Sequence, residues 1–268
     1  MIKSSPLGLF DSGTGGLTVL REVAHRLPGE DLLYYADTAR IPYGGKSKET
    51  VIRFSIENTI FLLHHSIKLL VVACNTATAH ALEKLQQLFK IPVIGVIEAG
   101  SERVCQVTRN GKIAVLGTKG TIASGAYPQA IAAQRPDLEI LSVACPLFVP
   151  LVEERFIDHP AARLIVKEYL EPLKKAGVDT LLLGCTHYPL LKHLIEELFE
   201  GQVNIVDSAS TCAEKVHQTL QQLNLCNDQP KGSERFFTTD DPIKFKTSGE
   251  EFLGRPLDHV VFAAHPHC

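Results

Sequence analysis

Two cysteines stand at the same kind of position, directly after a short apolar run and ahead of a segment with helical spacing. Cys74 lies in LLVVACNTATAHAL and Cys185 lies in TLLLGCTHYPLLKHL. A short apolar run predicts a buried strand, and parallel sheets bind ligands beyond the carboxyl ends of their strands. The amide groups and dipole at the start of a following helix lower the pKa of a thiol from about 8.5. We therefore expect both cysteines to form thiolates easily and to face a ligand.

Two observations bear on whether these cysteines do chemistry. Taken alone, each is equally well explained as a small buried side chain at a strand end, but two at matching positions are hard to explain by accident. The chain has seven cysteines, an odd number, and no CxxC pair. We therefore expect neither a disulfide framework nor a structural zinc site, and any chemistry must come from position.

Four other turns place polar groups at the ends of apolar runs. Their candidate residues are Asp11 and Ser12 in FDSGTGG, Tyr43 and Gly44 in IPYGG, Thr118 and Thr121 in GTKGT, and Glu153 in CPLFVPLVEE. Glycines that open a helix can cradle a carboxylate or a phosphate; the spacing in FDSGTGG matches neither a dinucleotide fingerprint nor a P-loop. Taken alone, a stretch such as IPYGG is more often an ordinary turn. A lone glutamate usually lies on the solvent-exposed surface.

Short apolar runs alternate with longer segments of helical spacing along most of the chain. Leu7–Phe10 and Ile113–Leu116 each precede such a segment, the second near Ala123–Ala133. Buried strands that alternate with helices predict an α/β fold with mostly parallel, doubly wound sheets. From residue 227 the chain is first polar and irregular, and then has the pattern of short strands such as Val260–Ala263.

Three pairs of segments resemble each other at a nearly constant offset. The pairs are GLFDSG with AVLGTKG, LLVVACNT with TLLLGCTH, and PVIGVIEAG with VNIVDSAS, separated by roughly 106 to 112 residues. Such an offset predicts two similar α/β domains related by an approximate two-fold axis, with the active site in the cleft between them. We place the first domain, on the Cys74 side, at residues 1–98 plus 208–268, and the second, on the Cys185 side, at 99–207.

The composition excludes several classes of protein. The chain has 268 residues, 45% apolar and 21% charged, which is ordinary for a globular protein. A net charge of −3 gives no general attraction to nucleic acid or an anionic membrane, and no apolar run suits a signal peptide or a membrane span. We expect a cytoplasmic protein without nucleic-acid or membrane partners or an N-terminal regulatory extension. We expect HPHC (265–268) to be a solvated end and not a metal site.

The chain resembles the glutamate racemases, cofactor-independent members of the aspartate/glutamate racemase superfamily, in the set and order of its motifs. These motifs are FDSGTGG, IPYGG, VVACNTATA, GTKGTIASGAY, CPLFVPLVEE and LGCTHYPLL, between residue 8 and about residue 210. The combination of CNT and GCTHYPL, at the two cysteines, is the most specific part of this resemblance. The family often has proline where this chain has Ala99, a departure without visible consequence for the chemistry. The resemblance implies interconversion of L- and D-glutamate, which supplies D-glutamate for peptidoglycan.

The resemblance also implies a two-base mechanism. Racemisation removes the α-proton from one face of the carbon and returns a proton to the other, so two acid–base groups must flank the carbon. Cys74 and Cys185 would serve as thiolate base and thiol acid and exchange roles in the reverse direction, with their sulfurs about 6–7 Å apart. Asp11 would assist ionisation of Cys74 or accept from the substrate ammonium, and Glu153 and His187 would play the corresponding part near Cys185.

The resemblance further implies the substrate contacts and partners. The contacts are Asp11, Ser12, Tyr43, Gly44, Asn75, Thr76, Thr118, Thr121, Thr186 and His187. Hydroxyls, amides and backbone N–H groups can hold carboxylates and an ammonium without a large cationic clamp. No lysine stands at a strand end to form a Schiff base, so we expect no cofactor, and we expect no metal. We expect a homodimer with glutamate as its small-molecule substrate.

Four other functions remain open on the sequence alone. A sister racemase acting on aspartate or a hydantoin would share most of the motifs. A thiol–disulfide enzyme would need Cβ atoms about 3.5–4.5 Å apart, which is too close for the predicted separation of the sulfurs. His187 could ligate a metal, although Cys185-x-His187 lacks further ligands at suitable spacing. A non-catalytic module that binds an acidic amino acid would leave the paired cysteines unexplained.

Overall fold

The computed structural model of the chain describes residues 2–264, so the expectation for HPHC lies outside the described residues. Within this range the strands are β1 (Leu7–Asp11), β2 (Leu32–Ala36), β3 (Leu69–Val72), β4 (Val93–Gly95), β5 (Lys112–Gly117), β6 (Glu139–Ala144), β7 (Thr180–Gly184), β8 (Asn204–Asp207), β9 (Glu234–Thr238) and β10 (Val260–Phe262). The helices are α1 (Leu17–Arg26), α2 (Lys48–Leu63), α3 (Asn75–Leu88), α4 (Val96–Val107), α5 (Lys119–Ser124), α6 (Ala126–Gln134), α7 (Phe148–Glu153), α8 (Pro160–Lys175), α9 (Lys192–Leu198), α10 (Ser208–Gln222) and α11 (Pro242–Leu253). None of these helices is long and apolar enough to cross a membrane.

The strands form two sheets whose adjacent strands all run parallel. One sheet has the order β10-β9-β2-β1-β3-β4 and the other has the order β6-β5-β7-β8. The prediction of an α/β fold with mostly parallel sheets is therefore confirmed. We call the six-stranded sheet with α1–α3, α10 and α11 the first lobe, and the four-stranded sheet with α4–α9 the second lobe. Strands β1–β4 and β5–β8 follow the same spatial order, as expected from the sequence repeat.

The register of each sheet brings the polar turns together at one edge. Phe10 of β1 pairs with Val72 of β3, so the residues that follow these strands lie side by side in the first lobe. In the second lobe Gly117 of β5 pairs with Gly184 of β7. The central strands are buried along their whole length, because helices cover both faces of a parallel sheet.

Apolar packing joins the two lobes. One buried cluster contains Leu9 and Val71 from the first lobe together with Leu116 and Leu183 from the second. The opposite face of each sheet has its own cluster, under α2 and α3 in the first lobe and under α4 and α6 in the second. The shared cluster holds the carboxyl ends of the two sheets in a fixed relation.

Two parts of the fold differ from the expectations, and the predicted domain boundary falls within a helix. The helical stretch near Ala123–Ala133 is two helices, because Gly125 at φ +67° ends α5 in the left-handed region. The polar stretch after residue 227 contains β9 and α11 ahead of the expected strand near Val260. The expected boundary between residues 98 and 99 falls inside α4, so the chain passes between the sheets along a helix; the division into domains stays a prediction.

Candidate active site

The carboxyl ends of the central strands of both lobes surround a small buried cavity. The predicted residues that line it are Ser12, Tyr43, Gly44, Cys74, Asn75, Thr76, Thr118, Cys185, Thr186 and His187. Three apolar residues that were not predicted, Ile41, Pro42 and Val149, complete the lining. The cavity has a volume of about 20 Å³, which is room for about one water molecule. An amino acid can therefore bind only if the cavity widens.

A larger space of about 480 Å³ adjoins the cavity and shares part of its wall. The shared residues are Ile41, Pro42, Gly44, Thr118 and Val149. Glu153 borders the larger space and not the small cavity. Displacement of this shared wall would connect the cavity with the outside.

Cys74 is a buried thiol at the start of α3. Its sulfur accepts a hydrogen bond from the amide of Ala77 at 3.5 Å and donates to the hydroxyl of Ser12 at 3.9 Å. Burial and, to a smaller extent, the negative charge of Asp11 raise the pKa of Cys74 to about 12, and the hydrogen bonds with Ala77 and Ser12 only partly oppose this. The expectation of an easily formed thiolate at Cys74 is therefore wrong for this closed state, because burial outweighs the helix N-terminus.

Asp11 connects the two lobes beneath the cavity. Its carboxylate accepts from the amide of Gly13 at 2.9 Å and from the hydroxyl of Thr186, in the second lobe, at 3.4 Å. Burial raises the pKa of Asp11, and the charge of His187 and the hydrogen bonds only partly oppose it. A fully buried carboxyl of raised pKa is suited to accept and return a proton.

Cys185 faces a cation and not a carboxylate. Its sulfur lies 4.0 Å from Nδ1 of His187, whose Nε2 lies 2.5 Å from the carboxylate of Glu153. Burial lowers the pKa of His187, but the interactions with Cys185 and Glu153 outweigh it and raise this pKa to about 10. Burial raises the pKa of Glu153, but the bond to His187 lowers it overall. At neutral pH an imidazolium thus lies between a carboxylate and the Cys185 sulfur.

Contrary to the prediction from the sequence, the segment directly after Cys185 is not the start of an α-helix. A 3-10 turn over Tyr188–Leu191 follows, and α9 begins only at Lys192. Cys185 therefore has no α-helix N-terminus at its sulfur, and the charge of His187 provides the positive potential there.

Thr76 and Thr118 line the cavity and form a cluster of hydroxyls from both lobes with Thr121, which lies outside the lining. The Oγ1 atoms of Thr76, Thr118 and Thr121 lie 3.0–3.1 Å from one another. Gly44 packs on this cluster, and a Cβ at that position would lie 2.4 Å from Cβ of Thr118, so only glycine permits the approach. Hydroxyls that can each turn their proton are suited to bind a carboxylate.

Residues that the sequence analysis missed hold the IPYGG turn. The hydroxyl of Tyr43 donates to the carboxylate of Asp37 and accepts from the amide of Asn58 at 3.0 Å. Arg40 donates to both oxygens of Asp37 at 2.9 and 2.7 Å. The Tyr43 side chain is thus engaged inside its own lobe. One feature of the sequence points to Asp37: it directly follows β2, much as Asp11 stands at the end of β1.

The geometry bears on two of the alternative functions. Cys74 and Cys185 are unbonded. Among the described residues, no group of three or more His, Cys, Asp or Glu side chains could hold a metal ion. His187 has its two ring nitrogens directed at Cys185 and Glu153, which leaves it poorly placed as a ligand.

Known proteins match this chain over most of its length. The profile described as Asp/Glu/Hydantoin racemase matches residues 16–216. The chain belongs to this family. A protein of Geobacter metallireducens named glutamate racemase is 52% identical over 255 residues, which are 95% of this chain and 94% of the relative. The predicted resemblance is confirmed, and the chain is an isomerase of the amino-acid racemase kind.

Solved structures of the family have the same fold. A glutamate racemase isoform from Bacillus anthracis superposes with a TM-score of 0.95 at 42% identity, covering 98% of this chain and 99% of that one. A glutamate racemase from Francisella tularensis, solved in complex with D-glutamate, gives a TM-score of 0.93 at 36% identity and full coverage, 100% of both chains.

Proposed function

We propose that the chain interconverts L- and D-glutamate by moving protons between the α-carbon and the sulfurs of Cys74 and Cys185. The observation that carries this proposal is that the two thiols, one from each lobe, line the same closed cavity. The names of the relatives at 52% identity and below support glutamate as the substrate. An acid–base group on each face of the carbon is what inversion requires.

The charges around the cavity suggest which sulfur holds the proton before the reaction. Cys74, whose pKa is raised to about 12, is the thiol acid, and Cys185 beside the His187 imidazolium is the thiolate base. The Cys185 sulfur removes the α-proton while the Cys74 thiol donates its proton to the opposite face. The product leaves a thiol at Cys185 and a thiolate at Cys74. The reverse reaction starts from this state, and loss of a proton from Cys185 to solvent with uptake of one at Cys74 restores the first state for another turnover in the same direction. Asp11, buried near Cys74, can take up the proton when the roles exchange.

The remaining residues support substrate binding. The hydroxyl cluster of Thr76, Thr118 and Thr121 and the amide of Asn75 supply hydrogen-bond donors for carboxylates, and Asp11 can accept from the ammonium. Exclusion of water strengthens every one of these interactions, and fixed donors stabilise the negative charge that develops as the α-proton leaves. Because the closed cavity is smaller than glutamate, each turnover includes an opening and a closing of the site.

The wider biological role rests on the resemblance. D-glutamate made in the cytoplasm would supply peptidoglycan synthesis and hence cell-wall biogenesis and cell shape. The matching strand order of the two sheets supports two domains at residues 1–98 plus 208–268 and at 99–207. A homodimer and a cofactor-free reaction complete the proposal.

Incubation in heavy water with each enantiomer tests the reaction. The wild type should exchange the α-proton for deuterium and racemise glutamate far faster than aspartate or a hydantoin. Cys74→Ala and Cys185→Ala should each lower racemisation by at least about 10³-fold, whereas Cys105→Ala, at a half-buried cysteine of α4, should leave it unchanged. Normal turnover in either active-site variant would end the proposal. Tight binding of glutamate without α-exchange would favour a binding module.

A further inference from the structure

Tyr127 joins the two cysteine turns, although the sequence analysis gave it no role. It lies on α6 in the second lobe and is 1% exposed. We propose that Tyr127 is a positioning residue that fixes the orientation of the Asn75 side chain and the relation of the two cysteine turns. This inference deepens the proposed glutamate racemase function and rests on it.

The hydroxyl of Tyr127 reaches across to the first lobe. It donates to Oδ1 of Asn75 at 2.5 Å, and Asn75 is the residue directly after Cys74. The hydroxyl of Ser208 hydrogen-bonds to the Tyr127 oxygen, which directs the Tyr127 proton toward Asn75. The amide of Asn75 is therefore held with its oxygen toward Tyr127.

This orientation leaves the amide nitrogen of Asn75 as an unused donor. Nδ2 is buried and has no hydrogen-bond partner among the described residues, and Asn75 is 2% exposed and lines the cavity. A buried donor without a partner is unfavourable and rare. A substrate carboxylate oxygen would satisfy this donor. If the amide turned over, its oxygen would repel that carboxylate, so the orientation set by Tyr127 decides whether this contact is favourable.

The ring of Tyr127 touches the other cysteine turn. A Cβ built on Gly184 would lie 2.9 Å from Cε2 of Tyr127, and Gly184 directly precedes Cys185. One rigid side chain thus contacts the residue before one catalytic cysteine and the residue after the other. The ring also packs in the apolar cluster of the second lobe with Ile131 and Leu182, but that packing does not use the hydroxyl.

The test separates the hydroxyl from the ring. Wild-type racemase activity is measured first, since its absence would end the proposed function and not this inference. Tyr127→Phe should keep the fold and raise KM for both enantiomers, with kcat/KM lower by about 10- to 100-fold. In the background of Asn75→Ala, Tyr127→Phe should cause no further loss, because the hydroxyl acts through Asn75. Independent losses that multiply, or a wild-type KM in Tyr127→Phe, would overturn the inference.

Two further variants guard against a merely structural effect. Tyr188→Phe removes another buried hydroxyl of the same lobe, which donates to the carbonyl of Cys145 at 2.9 Å; it should lower the melting temperature comparably and leave KM unchanged. Asn75→Asp retains an acceptor for Tyr127 but removes the Nδ2 donor, so it should lose substrate affinity as strongly as Asn75→Ala. Wild-type affinity in Asn75→Asp would contradict the inference even if Tyr127→Phe failed to fold.

Discussion

Cys74 and Cys185 follow the third strand of two sheet units with the same order, yet the charges near them have opposite signs. Burial and the charge of Asp11 raise the pKa of Cys74 to about 12, whereas Cys185 faces His187, whose pKa is raised to about 10. Two groups of the same chemical type thus have neighbours of opposite charge. The difference teaches that a repeated backbone can provide an acid and a base when the neighbours of each turn diverge.

This asymmetry cannot favour one enantiomer overall. L- and D-glutamate have equal free energies in water, so kcat/KM must be the same in both directions. Differences between the two cysteine turns can appear only in kcat and KM taken separately. A variant that weakens one turn must therefore lower kcat/KM equally for both enantiomers, which provides an internal check on the kinetics of any variant.

Removal of the cation beside Cys185 should have the largest effect. His187→Asn takes away the charge that favours a thiolate, and we expect kcat/KM to fall by about 10²- to 10³-fold in both directions. The matched control is His193→Asn, at an exposed histidine of α9, which should retain full activity. Activity within a few-fold of wild type in His187→Asn would show that the charge of His187 does not set Cys185 apart from Cys74.

Removal of the negative charge beside Cys74 should have the next largest effect. Asp11→Asn should lower kcat/KM by about 10- to 100-fold and should also lower the pKa of Cys74 from about 12. The pH dependence of alkylation at Cys74, followed by mass spectrometry of the labelled peptide, measures that shift. Asp137→Asn, at a surface ion pair with Arg135, is the control. An unchanged alkylation profile would show that Asp11 does not set the protonation of Cys74.

Glu153→Gln should have a smaller effect that grows with pH. Glu153 helps to raise the pKa of His187 to about 10, so its loss lets the imidazole deprotonate earlier. We expect about a 10-fold loss of kcat/KM at neutral pH and a greater loss at about pH 9. Glu154→Gln, at the exposed neighbour, should match the wild type throughout. A loss independent of pH would mean that Glu153 acts by other means than the charge on His187.

The smallest effect should be on stability. Folding raises the pKa of His187 from 6.5 to about 10. The stabilising contribution of its charge is therefore fully present below about pH 6.5 and is lost as the pH rises to about 10. Wild type should therefore exceed His187→Asn in melting temperature by a few degrees at about pH 6. The gap should close by about pH 10, as differential scanning calorimetry can measure. A gap that stays constant over this range would argue against a charged His187 in the native state.

Local sequence patterns were sufficient to place the cysteines. The apolar runs before Cys74 and Cys185 specify buried strands, and the polar residues after them could only stand at the strand ends. The parallel class of the sheets followed from the same alternation. By contrast, β9 and α11 lie in a polar stretch where the apolar spacing is too weak to reveal them, and their positions depend on packing against the first lobe.

The missing parts of the site depend on contacts between distant segments. The pKa of Cys74 is set by burial and by Asp11 from another strand, and no local pattern reports either. Tyr127 was within a recognised motif, but its hydroxyl bonds to Asn75 in the other lobe. Asp37 and Arg40 were missed for a similar reason, since their partners become visible only when the IPYGG turn is folded back over the cavity.

Residues late in the chain hold the turn that forms one wall of the active site, so this wall can be completed only late in translation. The IPYGG turn is anchored through Ala39, whose amide donates to the hydroxyl of Thr239 at 3.0 Å, and through Thr38, which lies 2.7 Å from Thr238. A ribosome delivers Thr238 and Thr239 long after both thiols have emerged. A nascent chain that stops before them contains both cysteines but lacks the contacts that hold the IPYGG turn over the cavity. Premature termination there would leave the wall without both of these contacts.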